Sequence, residues 1–411
     1  MKRRDFGFAL MGGLAATMLP FHSARATTTA KKRFIFVIAR GGWDPLLTLA
    51  PMFQASAVQM PPQSSPTTIG GIPLTDSGQR PSVRTFFEQH SSRSLIIHGL
   101  SVRSVAHDVC ETTMLTGSAT GNNPDHATRL AASSTLALPH LVVEGPSLPG
   151  ELAPLVTRTG RTGQLQALVD GSITSRADVT TPPLARPTRE LVDGFLARRL
   201  SAFADTSPGL GQEALDALTR KRRIEQLRGE VSFATDGSFE SQIELAVSVL
   251  GSDIAQCVTI SPPISWDSHT DSDNQQTQYW EGLFLGLGRL MSRLAATGSP
   301  STTESTSLAE DTVVVCLSEM SRTPRLNADQ GRDHWPWTSA LLVGQGLTGG
   351  RAVGGYDNNY SGLGIDPATG DTDPNRPATS PAQLGATLLA LADLDPGVFG
   401  PRVEPLLGIL E

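Results

Sequence analysis

Residues 33–39, Arg-Phe-Ile-Phe-Val-Ile-Ala, form an apolar run rich in β-branched and aromatic side chains that breaks at Arg40-Gly-Gly-Trp-Asp44. A strand with one wet face alternates apolar with polar residues, so a run without alternation belongs to a strand covered on both faces. Similar short runs recur at 94–98, 141–143, 257–260, 312–317 and 339–343, with helix-type periodicity between several of them. That alternation predicts an α/β chain with a doubly wound, mostly parallel sheet flanked by helices.

The clearest helix is 275–296, where Trp280, Leu283, Phe284, Leu287, Leu290, Met291 and Leu294 make one apolar stripe. Ser241 and Glu244 have capping-box spacing and open a helix through Val249, and Ser380-Pro381 opens another through Leu391. Residues 188–229 read as a charged helical insertion, whose Arg220-Lys-Arg-Arg223 cluster is a solvated helix face. Stretches 61–68 and 298–307, rich in Pro, Ser and Thr, read as exposed loops.

With 39% hydrophobic and 18% charged residues the chain can build a core and is not disordered. Its net charge of −7, with no basic run in the body, argues against nucleic acid as a partner. Forty glycines and 29 prolines imply long connections, where functional residues concentrate.

The N-terminus has a basic start containing Arg3 and Arg4, an apolar run from Phe8 to Phe21, and Ala24-Arg-Ala26. This fits residues 1–26 as a signal read by the twin-arginine export machinery, with 27–411 as the mature domain in the periplasm or another extracytoplasmic space. The apolar run is short for a membrane span, and no later run is long enough for a stable one in the mature protein. Removing four basic residues and one acidic residue takes the charge from −7 to −10. Cys110, Cys257 and Cys316 have no metal-type spacing and read as buried free thiols, one disulfide being the alternative.

Open parallel sheets bind ligands outside the carboxyl ends of their strands. Asp44 follows the first run, Asp267 and His269 follow 257–260, Glu319 follows 312–317, and His334 lies in the next loop. Carboxylates mixed with imidazoles suit a divalent transition metal, zinc, manganese or iron, better than calcium. Trp43, Trp266, Trp335 and Trp337 stand beside these residues and could wall such a site from water. Gly344-Gln-Gly346-Leu-Thr-Gly349 matches a dinucleotide fingerprint, but no helix pattern follows and it reads as a turn. No Gly-x-Ser-x-Gly elbow or Walker loop occurs.

The stretches Arg40-Gly-Gly-Trp-Asp44, Trp266-Asp-Ser-His269, Ser318-Glu-Met-Ser-Arg-Thr-Pro324 and Gly331-Arg-Asp-His-Trp-Pro336 resemble the bacterial domain-of-unknown-function family 1501. That family is similar to the alkaline phosphatase and sulfatase superfamily, which implies an alkaline phosphatase-like fold with a two-metal site at the strand ends. The resemblance implies metal ligation by Asp44, Asp267, His269, Glu319 and His334, although Asp267 and His269 are closer in sequence than the superfamily's pair. Met320 stands where a histidine often follows the acidic ligand. Superfamily members place an oxygen nucleophile nine residues before a Thr-Gly; counting back from Thr116-Gly117 reaches His107. His107 is therefore expected to be a ligand, a general base or a nucleophile.

Two functions follow from this sequence. One is an exported metal-dependent hydrolase of phosphate or sulfate esters with a degenerate two-metal site, taking an anionic small-molecule or polymer ester that Arg322 or Arg40 could bind. The other is a non-hydrolytic metal-binding or assembly protein of the cell envelope on the same fold.

Overall fold

The computed structural model describes residues 32–160, 163–170, 185–226, 229, 231–301 and 306–411. The proposed signal, including Arg3 and Arg4, lies outside them. Eight strands form the central sheet: β1 (Arg33–Ile38), β2 (Ser94–Ser101), β3 (Leu138–Val142), β4 (Val156–Arg158), β5 (Ala255–Ile260), β6 (Thr312–Leu317), β7 (Trp337–Val343) and β8 (Arg351–Val353). Their order across the sheet is β8-β2-β7-β6-β1-β5-β3-β4. Every pairing is parallel except those of β7, which runs antiparallel to both β2 and β6. The α/β architecture is the expected one, and each apolar run picked out in the sequence lies wholly or largely in one of these strands.

β1 shows why the runs do not alternate. Ile35 and Val37 enter the core on one face of the sheet, while Phe34, Phe36 and Ile38 enter a second core on the other. The first core is closed by α1 (Pro81–His90) and by two later helices at 239–251 and 272–296. The second is closed by α2 (His107–Thr116) and by the helix Pro381–Leu391. In chain order the remaining long helices are α3 (Arg186–Thr206), α4 (Pro208–Gln226), α5 (Phe239–Gly251), α6 (Ser272–Ala296) and α7 (Pro381–Leu391).

The apolar stripe expected for α6 is buried along its whole length. α7 begins where expected, with a reciprocal capping box between Ser380 and Gln383. α5 starts earlier than Ser241 and Glu244 suggested: Ser238 is its N-cap and accepts a hydrogen bond from the Ser241 amide. Two serines three residues apart offer competing caps, and local spacing alone does not choose between them. Residues 65–69, expected within a loop, instead pair antiparallel with 72–76 in a β-hairpin. The 344–349 stretch is irregular, as read. Cys110, Cys257 and Cys316 are free and buried. No helix among the described residues is long and apolar enough to cross a membrane.

Three histidines are structural members of this core. His98 bonds Ser339 at 2.8 Å, His140 bridges Thr128 and Thr259 at 2.9 and 2.8 Å, and His126 packs beside Phe399. Burial lowers the pKa of His98 and His126 from 6.5 to about 4 and lowers that of His140. These groups fold neutral, so the unfolded chain takes up protons first as pH falls. Their stabilising contribution is complete above 6.5 and is lost as pH drops toward about 4. Thermal unfolding should therefore show a Tm several degrees lower near the bottom of that window than at neutrality. A Tm flat across it would contradict these assignments.

Candidate metal centre

One reversed strand explains how distant residues meet. The carboxyl ends of β1, β2, β5 and β6 all open on the same edge of the sheet. Because β7 runs the other way, its amino end lies on that edge too. The loops after β1, β5 and β6 thus face the start of α2 and the segment that leads into β7. That segment, His334–Trp335, pairs antiparallel with Ser321–Arg322, so the stretches after β6 and before β7 form one ribbon.

Arg322 is fully buried and joins three of these segments. Its guanidinium donates to the carbonyls of Gly41, Gly42 (2.8 Å) and Arg332 (3.1 Å) and to Asp267 Oδ1 (2.7 Å). Gly41 has φ +110°, and a Cβ there would lie 2.6 Å from the Asp267 amide nitrogen, so the loop closes only on glycine. A Cβ on Gly331 would collide with the His269 carbonyl, which holds the ribbon equally close to the β5 loop.

His107, Asp267 and His334 each direct one ligand atom into a space where those atoms lie within 4.8 Å of one another. His269 joins them: its Nε2 is 2.9 Å from His334 Nε2 and 3.0 Å from Asp267 Oδ1. His334 Nε2 is 3.4 Å from the same oxygen, and His107 Nε2 is 3.5 Å from Asp267 Oδ2. Each imidazole has an acceptor on its outer nitrogen. Nδ1 of His107 meets Glu319 Oε1 at 2.8 Å, Nδ1 of His269 meets Asp333 Oδ1 at 2.9 Å, and Nδ1 of His334 meets the Val105 carbonyl at 2.7 Å. These partners place the ring hydrogens on Nδ1 and turn the Nε2 lone pairs inward. Two such lone pairs 2.9 Å apart repel unless one nitrogen carries a proton or both ligate the same cation. Outward acceptors that fix the tautomer are the usual support for histidines bound to metal, so the donor set suits a transition ion.

The charges around this space are unequal. Glu319 is buried and accepts from the Gly41 amide (2.7 Å) as well as from His107. The Glu319 hydrogen bond raises the His107 pKa, against the opposing effect of burial. His107 is also the first residue of α2, where the helix dipole disfavours a cation by about 0.3–1 kcal/mol. A charge-assisted bond of about 1.5–3 kcal/mol outweighs that. Burial pushes the Asp267 pKa up, but the bond and charge of Arg322, with His269 and His107, hold it below the usual carboxylate range. The hydrogen bond from His269 lowers Asp333 likewise.

The structure thus brings together His107, Asp267, His269 and His334, with Glu319 behind His107. It does not bring Asp44 to them. Asp44 is fully buried, with Oδ2 3.1 Å from Arg332 Nε, and its Oδ1 caps the turn at Leu46. The sequence grouped Asp44 with the ligands because a carboxylate after β1 looks the same whether it meets a metal or an arginine. Arg322, expected to meet an anion, is enclosed by carbonyls and Asp267 and instead fixes the orientation of Asp267. Trp43 and Trp266 do not wall the centre: Trp43 stacks on Trp280 at 4.8 Å and meets Trp266 edge-on at 6.4 Å in the core, while Trp335 meets Trp337 at 5.5 Å. Asp333 and Arg332 were not singled out from sequence, although both lie in the quoted Gly331–Pro336 stretch.

A cavity of about 660 Å³ opens beside His107, Asp267 and Glu319. Its walls include the carboxylates Asp108, Glu111 and Glu144 and one arginine, Arg40, which pairs with Glu111 at 2.9 Å.

Residues 209–402 match the model of the family described as "Protein of unknown function (DUF1501)", so the resemblance to that family holds over this region. No curated protein sequence matches the chain. Among solved structures it is similar to a 2-O GAG sulfatase, at 11% identity over 89% of this chain and 71% of that one, with a TM-score of 0.38. It is also similar to the lipoteichoic acid synthase LtaP from Listeria monocytogenes, at 10% identity, 92% and 75% coverage and a TM-score of 0.37. A protein in the alkaline phosphatase superfamily from Vibrio parahaemolyticus has 9% identity, 92% and 69% coverage and a TM-score of 0.32.

Asp44 supplies a direct check. Burial raises its pKa to about 6 despite the nearby Arg332 charge. Asp44→Asn would leave the buried Arg332 with Asp273, 3.6 Å from its Nε, as its remaining counter-charge, at a cost toward the lower end of the about 3–5 kcal/mol of a broken buried pair. Chemical denaturation should show that loss while metal per folded molecule stays unchanged. Lost metal with intact stability would return Asp44 to the ligand set.

Proposed function

We propose that the chain is an exported metal-dependent hydrolase of phosphate or sulfate esters, acting on a small or polymeric anionic ester. One divalent ion, zinc, manganese or iron, is held by His107, Asp267, His269 and His334. The observation that carries this reading is the convergence of inward imidazole nitrogens on one carboxylate, each imidazole backed by an outer acceptor. With Asp44 turned to Arg332, the two-metal arrangement implied by the family resemblance contracts to a single ion.

When bound, such an ion supplies Lewis acidity and lowers the pKa of coordinated water. The chain's own groups have separable tasks. Arg322 holds Asp267 in place, Glu319 keeps the proton of His107 on Nδ1, and Asp333 does the same for His269. Arg40, with its side chain 56% exposed at the cavity, is the cation available to an entering anion.

A specific observation supports the second reading, a non-hydrolytic metal-binding or assembly protein of the envelope. The carboxylates Asp108, Glu111 and Glu144 outnumber Arg40 around the cavity and repel a bare anion. Metal analysis together with turnover of aryl phosphate and aryl sulfate separates the two. The hydrolase reading expects about one ion per chain, turnover that disappears with chelator, and loss of both in His107→Ala and His269→Ala while both variants remain folded. Stoichiometric metal without turnover of either ester leaves the envelope reading, and absence of retained metal removes both.

Export through the twin-arginine machinery to the periplasm belongs to the same proposal and rests on Arg3, Arg4 and the apolar run that follows. Replacing both arginines with lysine should hold the precursor in the cytoplasm. Undiminished periplasmic protein would assign the signal to general secretion.

A further inference from the structure

The buried face of α6 is apolar from Trp280 to Leu294, but its first two turns bury Ser272 and Gln276 instead. Gln276 stands one turn before Trp280 on the same face and is 0% exposed. A primary amide taken out of water persists in a core only with partners for its oxygen and its two N–H groups. Gln276 finds them on two loops. Its Oε1 accepts from the Asp44 amide at 2.9 Å. Its Nε2 donates to the Trp266 carbonyl at 2.8 Å and to Ser268 Oγ at 3.1 Å, with the Gly42 carbonyl at 3.3 Å. Turning the amide over would set its NH2 against the Asp44 N–H and its oxygen against two carbonyls, so these neighbours fix its orientation.

The contacts at 266 and 268 bracket Asp267, and His269 is the next residue. Arg322 holds the Asp267 carboxylate, whereas Gln276 holds the main chain that carries it. Ser268 Oγ, accepting from Gln276, is left to donate to Ser272 Oγ at 2.9 Å, so α6 grips this segment twice. The helix grips the loop after β1 as well, since Trp280 Nε1 donates to the Asp44 carbonyl at 3.0 Å. That loop leads on to the other side of the centre: the Gly41 amide donates to Glu319 Oε1, the same oxygen that meets His107 Nδ1.

We propose that Gln276 is a positioning residue of the metal centre. From α6 it sets the spacing between the loop after β5, which carries Asp267 and His269, and the loop after β1, to which Glu319 and His107 are tied. The inference rests on the metal-binding reading above and assigns no contact between Gln276 and the ion.

Titration of the metal-free, full-length protein with cobalt(II) tests this, because the visible spectrum of the bound ion reports its coordination geometry. The wild type should take up about one cobalt per chain. Gln276→Met keeps the length of the side chain and loses its hydrogen bonds; it should bind cobalt about 10–100-fold more weakly and with an altered spectrum. Ser268→Ala removes one acceptor and should move both quantities the same way by less. Leu287→Ala, on the apolar part of the same buried face, should lower Tm while cobalt affinity and spectrum stay as in the wild type. A Gln276→Met protein that loses stability yet keeps wild-type affinity and spectrum makes Gln276 a core residue only and overturns the proposal. So does a Leu287→Ala protein that loses cobalt to the same extent. Should Gln276→Met not fold, a Ser268→Ala protein with wild-type affinity and spectrum overturns it. A wild type that retains no cobalt removes the metal-binding reading and this inference together.

Discussion

The guanidinium of Arg322 is the point on which the site depends. It occupies the junction of the loops after β1 and β5 with the ribbon before β7, and it satisfies carbonyls that would otherwise be buried without a donor. A buried cation is tolerable only with such a set of acceptors and an anion, and Asp267 provides the anion. One residue therefore solves a folding problem and fixes the carboxylate around which three imidazoles gather. Arg332 repeats the arrangement one layer deeper with Asp44, and it also donates to the carbonyls of Thr323 and Gln59.

Much of this architecture was legible in the sequence, for physical reasons. β1, β5 and β6 are buried on both faces, so their composition departs from alternation strongly enough to be seen without a partner. The stripe on α6 and the Ser380 cap are equally local signals. The direction of β7 was not legible, because a buried strand has the same composition whichever way it runs. Residues 65–69 were hidden for a related reason: their side chains are largely exposed and carry little apolar pattern.

The site was legible as a collection of residues but not as a pattern of contacts. His107, Asp267, His269, His334 and Glu319 do approach one another, yet Asp44 and Arg322 take tasks that residue type cannot reveal. A carboxylate or guanidinium at a strand end is defined by what faces it, and those partners lie hundreds of positions away: Arg332 for Asp44 and the Gly41 carbonyl for Arg322. The acid-rich cavity has the same origin, since Asp108, Glu111 and Glu144 are unremarkable until α2 and the loop after β3 place them together.

The position of β1 has a consequence for how the chain reaches this state. The first strand of the described chain takes its two neighbours from 255–260 and 312–317, so the middle of the sheet cannot close until most of the sequence exists. Such remote pairing raises contact order and slows folding. During synthesis β1 is an apolar segment without a partner for more than two hundred residues, a natural target for chaperones. The convergence of His107 with Asp267 and His334 inherits that delay. A cluster assembled from residues so far apart in the sequence is a record of late folding, and a chain stopped short of His334 cannot form it.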